Sequence, residues 1–137
     1  MRKILTSLAI AMMAVTFVSC EKEKVEPEDN TIYETSQIDH VPVFPGGIPA
    51  YQKYLMDNIK YPTEARLEGI EGVVYVSFVI EKDGSVSNVE IIRGIGGGCD
   101  EEVVRVFQGM PKWTPGERQG KIVRVRVRSS VRFTLSG

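Results

Sequence analysis

Lys121-Ile122-Val123-Arg124-Val125-Arg126-Val127-Arg128-Ser129-Ser130-Val131-Arg132-Phe133-Thr134-Leu135 alternates apolar and polar side chains over most of its length. Val123, Val125, Val127, Val131, Phe133 and Leu135 take the odd positions, and Arg124, Arg126, Arg128, Arg132 and Thr134 the even ones. Successive side chains of a strand point to opposite faces, so this is one long strand with a burying face and a basic face. The basic face has two readings. Charge on a sheet edge guards against aggregation, which needs no partner. The same charge also attracts an acidic, extended peptide that can then pair with the edge.

Working back from this strand, Val73 to Ile80 has a fully apolar even face (Val74, Val76, Phe78, Ile80) and a mixed odd face, the pattern of a central strand. Asp83-Gly84 makes a turn, and Ser85 to Ile92 returns as its hairpin partner. Val103, Val106, Phe107 and Met110 recur at helical spacing behind Asp100, read as the N-cap, with Glu101 and Glu102 in the first turn; Pro111 stops that helix. Tyr51, Tyr54, Leu55 and Ile59 mark an earlier helix with Pro49 in its first turn, and Tyr61-Pro62 opens a short one that Gly69 ends. The expected fold is α+β: a three-stranded antiparallel sheet with two main helices on one face.

The amino-terminal end has another character. Arg2 and Lys3 precede an apolar run, Ile4 to Val18. At roughly 15 residues it is shorter than the ~20 needed to span a bilayer and has the shape of a secretory signal. Phe17-Val18-Ser19-Cys20 resembles a bacterial lipobox, which implies cleavage after residue 19 and acylation of Cys20. The alternatives are a soluble secreted protein cut near Ser19 and an uncleaved short anchor. Removing residues 1–19 leaves 15 basic against 18 acidic side chains, a balance that argues against a general nucleic-acid binder. Residues 20–39 are polar and acidic and read as a flexible tether, roughly 60 Å at full extension. The folded domain is then 40–137.

Residue chemistry points away from catalysis. His40 is the only histidine and stands apart from any Cys/His cluster, so no metal site is expected. Cys99 precedes a helix but is followed by Asp100, Glu101 and Glu102, and reads as a small buried filler. Gly94-Ile95-Gly96-Gly97-Gly98 lacks both the last glycine of a phosphate loop and a following Lys-Ser/Thr. No cofactor and no enzyme activity are expected.

Tyr61-Pro62-Thr63-Glu64-Ala65, Ile70-Glu71-Gly72-Val73-Val74-Tyr75-Val76-Ser77-Phe78, Asp83-Gly84-Ser85-Val86-Ser87-Asn88-Val89 and Trp113-Thr114-Pro115-Gly116, in this order, resemble the TonB C-terminal domain family over about residues 42–135. Pro45-Gly46-Gly47 and Met110-Pro111-Lys112-Trp113 resemble its Bacteroidetes-type variants. The resemblance implies a periplasmic module of TonB-dependent outer-membrane transport that grips the N-terminal box peptide of a receptor by strand addition. It places the pairing segment at Val123, Arg124, Val125, Arg126, Val127 and Arg128, with Tyr61 and Pro62 bracing its start; the three arginines as steering charges are our inference. The lipobox and the short tether depart from a full transducer. They imply a lipid-anchored envelope protein, the outer membrane favoured, that binds without energy coupling or with coupling supplied by another protein. Two alternatives stand beside this reading: an energy transducer whose anchor stays uncleaved, and a general envelope interaction module that pairs with itself as a homodimer.

Overall fold

The computed structural model describes residues 29–135. The expected signal segment, Cys20 and the first part of the expected tether lie outside the described residues. Among the described residues no helix is long and apolar enough to cross a membrane.

Among the described residues five strands and three helices follow in the order β1 (Ile32–Glu34), α1 (Gly47–Asn58), α2 (Thr63–Glu68), β2 (Gly72–Ile80), β3 (Val86–Arg93), α3 (Cys99–Gln108), β4 (Gly116–Arg118) and β5 (Lys121–Phe133), with a 3₁₀ turn at Thr35–Gln37 after β1. The main sheet runs β1-β5-β2-β3. β2 is central, antiparallel to β3 on one side and to β5 on the other, from Gly72↔Phe133 to Ile80↔Val125. The α+β class and the antiparallel β5-β2-β3 core are as the alternation predicts. Two strands are additional: β4 pairs with the start of β5, and β1 runs parallel to it.

The even face of β2 is the floor of the core. Val74, Val76, Phe78 and Ile80 have no exposed surface. Phe78 meets Phe107 of α3 at 5.2 Å and Trp113 at 5.6 Å between ring centroids, and Phe44 packs edge-on to Trp113 at 5.5 Å. The helices are tied to each other as well as to the sheet. Arg105 of α3 donates to the carbonyl of Asn58 at the end of α1, and Glu102 accepts from the amide of Lys60. The first of these bonds satisfies a carbonyl that a helix C-terminus leaves open.

Two local readings change. Asp100 is the second residue of α3, not its N-cap. Gly98, with φ of +87°, takes the cap position, and Asp100 turns its carboxylate back onto the amides of Ile95 and Gly96 at 2.9 and 3.4 Å. The Asp83-Gly84 turn does form: Asp83 accepts from the amide and hydroxyl of Ser85, and Gly84 has φ of +91°.

Candidate functional site: the outer flank of β5

β5 is longer than its neighbours. Its inner flank is paired with β2 from Val125 to Phe133. Its first residues pair with β4, Val123 lying opposite Gly116. On the outer flank β1 pairs in parallel, placing Ile32, Tyr33 and Glu34 beside Arg124, Val125 and Arg126. Beyond Arg126 the outer flank carries no strand, and no backbone group of the described residues outside β2 hydrogen-bonds to residues 127–133.

This geometry divides the expected pairing segment. Of the six residues predicted, Val123, Arg124, Val125 and Arg126 already have strand neighbours from the chain itself; Val127 and Arg128 lie on the open stretch. Within the stretch expected as a flexible tether, residues 32–37 form β1 and the 3₁₀ turn, and the Asp39 amide donates to the carbonyl of Glu117 in β4. Tyr61 sits at the other end from the one expected. Its ring packs edge-on to Phe133 at 5.4 Å and its hydroxyl donates to the carbonyl of Ile70, so it lies against the finish of β5, while Pro62 lies beside Gly98.

Three arginines of the basic face have acidic partners. Arg124 grips Glu81 through two bonds, Nε to Oε1 at 2.8 Å and NH2 to Oε2 at 3.1 Å, and reaches the carbonyl of Asn30. Glu34 of β1 lies between Arg126 at 3.5 Å and Arg128 at 2.6 Å. Among the described residues Arg132 has no acidic partner. β1 is held from its other side too. The Arg118 guanidinium lies 4.9 Å from the Tyr33 ring centroid and donates to the carbonyl of Gln37. Asp29 accepts from the Thr31 amide and the Tyr33 hydroxyl, and its carboxyl is lowered to about 2, first by Thr31 and then by Tyr33.

Glu81 makes a pH test available. The Arg124 guanidinium holds its carboxyl below the usual carboxylate range; burial opposes this and Ser87 adds to it. A depressed folded-state pKa means stability that is present above the unfolded value of about 4.3 and lost as pH falls through the folded one. The pair is about a quarter exposed, so its contribution is about 0.5–1 kcal/mol. Glu81→Gln is expected to lose that amount at pH 7 and to flatten the acid limb below about pH 4. Urea midpoints across pH 2–7 measure it, and superimposable acid limbs would rule the contribution out.

Alongside the open stretch of β5 lie two apolar troughs against α1. One, of about 520 Å³, is lined by Val43, Ile48, Tyr51, Trp113, Val127 and Ser129; the other by Leu55, Met56, Ile59 and Val131. Tyr51 and Ser129 hydroxyls join across the first at 2.5 Å. Ile48 and Met56 are 71% and 80% exposed, unusual for side chains of their size. Sequence reasoning left both out. Their signal is an apolar residue off the Tyr51/Tyr54/Leu55 stripe of an amphipathic helix.

The sequence profile described as "Gram-negative bacterial TonB protein C-terminal" matches residues 57–135, more than half of the chain. The chain belongs to the TonB C-terminal family. Protein TonB of Pseudomonas aeruginosa is 37% identical over 70 residues, spanning 50% of this chain and 20% of that protein. Protein TonB of Helicobacter pylori J99 is 40% identical over 42 residues, 31% of this chain and 15% of that protein. The chain thus spans a fifth or less of the length of these relatives. The solution NMR structure of the Pseudomonas aeruginosa TonB CTD superposes with a TM-score of 0.50 at 25% identity, over 76% of this chain and 94% of that one. The family match begins within α1 and ends just past β5, so β1 lies outside the TonB-matched region, while Arg118, Arg126 and Arg128, which hold it, lie inside.

Proposed function

We propose that this chain is a TonB-like peptide-binding module of TonB-dependent outer-membrane transport, lipid-anchored through Cys20 on the periplasmic side. It takes the extended N-terminal box peptide of a receptor as an added strand on the outer flank of β5. It is a binding protein, and any energy coupling is supplied by another protein. The observation that carries this reading is the open ribbon at residues 127–133, paired on one flank, bare on the other and bordered by apolar troughs. Main-chain bonds to such a ribbon supply affinity and the side-chain pockets beside it supply selectivity.

A synthetic receptor box peptide titrated into the labelled chain is expected to shift the backbone amides of residues 127–133. Absence of any shift at millimolar peptide would sink the proposal. Arg128→Glu places a negative charge at the mouth of the open stretch beside Glu34. For an acidic box peptide this is expected to weaken binding by about 1 kcal/mol, roughly fivefold, with the difference shrinking as salt is raised.

A further inference from the structure

The strand that covers 124–126 is itself a short extended peptide laid on the edge. Three rungs hold it, and none of Ile32, Tyr33 and Glu34 is fully buried. Its side chains are nevertheless matched to β5. Tyr33 lies beside Val125, and the Glu34 carboxylate sits between two guanidinium groups. Segments with few rungs and little buried apolar surface open at a small fraction of the global unfolding free energy. β1 is therefore both complementary and replaceable.

We propose that Ile32-Tyr33-Glu34 is a resident copy of the guest. The edge at 124–128 accepts an extended peptide parallel to β5, with an aromatic ring beside Val125 and a carboxylate between Arg126 and Arg128. A partner bearing that pattern must displace β1 to use it. This deepens the strand-addition reading and rests on it. It names the pattern of the partner, and it makes the outer flank two half-sites: 127–133 standing open and 124–126 self-occupied.

The probe is a synthetic peptide of residues 29–37, added to the full chain and to a full-length Tyr33→Pro/Glu34→Lys variant whose own β1 cannot dock. In the variant, the amides of 124–126 are expected to lose hydrogen-exchange protection, and the free peptide to shift residues 124–128. In the unsubstituted chain the peptide is expected to bind about tenfold more weakly, the factor imposed by a resident strand docked nine-tenths of the time. A peptide carrying Lys in place of Glu34 is expected not to bind either chain. Equal affinity for the two chains, or binding to neither, would overturn the inference, as would unchanged protection at 124–126. Signals from the Phe78, Phe107 and Trp113 rings report whether the variant is folded. Should the double variant lose them, Glu34→Lys alone is used, with the same shifts expected at reduced size. The receptor-peptide titration is read separately at 127–133. Shifts there with no binding of the 29–37 peptide would remove the resident-copy idea and leave strand addition standing.

Discussion

Phe78→Ala is expected to lower the unfolding free energy by about 3–5 kcal/mol, the range for emptying a buried phenylalanine site. Phe78 has no exposed surface, lies on the central strand and contacts the rings of Phe107 of α3 and Trp113 of the connection that follows it. It sits opposite Val127, so the cavity would open directly under the ribbon proposed to receive the guest. Three rings meeting at one point leave little freedom to collapse into the gap, and the cost should fall toward the upper end. Against a typical domain stability of about 5–15 kcal/mol this is a large fraction. Urea unfolding measures it. Phe78→Leu, which keeps most of the volume, should cost less than half as much. A loss under about 1 kcal/mol for the alanine variant would mean that the rings do not form the common cluster described.

Gly84→Ala is the second large effect, and its cause is backbone geometry. A Cβ at Gly84 would stand 2.1 Å from the carbonyl oxygen of Trp113, while the residue holds φ of +91°. The Gly84 carbonyl accepts from the Trp113 amide at 2.8 Å, so the turn cannot move away without breaking that bond. The left-handed penalty of about 1–2 kcal/mol and a lost hydrogen bond of about 1 kcal/mol together predict a loss of about 2–3 kcal/mol. Gly69→Ala separates the two causes. Gly69 also has positive φ, +68°, but a Cβ there meets nothing within 4 Å, so only the conformational part, about 1–2 kcal/mol, should be lost. Equal losses at the two positions would show that the Trp113 contact yields freely.

Why the first of these positions could be picked out from the sequence, and parts of the site could not, comes down to range. The alternation of β5, the apolar even face of β2 and the Asp83-Gly84 turn are local patterns, set by the two-residue period and by turn chemistry. They were legible because a dozen residues repeat the same signal. β1 has three residues, too few to show a period, and its partner lies at the far end of the chain. The arginines were legible as a face; their partners were not, because Glu34 and Glu81 reach them only once β1 and β2 flank β5 in one particular register. Asp100 was misplaced because a carboxylate before an apolar helix usually caps it. Here three consecutive glycines with positive φ, Gly96, Gly97 and Gly98, bring the chain into α3 by another path and free Asp100 to hold the loop. The open stretch at 127–133 was visible only as an excess of strand length over that of its neighbours.

The neighbour relation between β1 and β5 also orders the events by which the molecule is made. Ile32 lies opposite Arg124, so β1, the earliest strand of the described residues, can dock only once β5, the latest, is in place. The β2–β3 hairpin and its helices can form without either of them. Closing so long a loop carries an entropic cost for three rungs of return. β1 is thus a late addition to a sheet whose β5-β2-β3 part is complete without it.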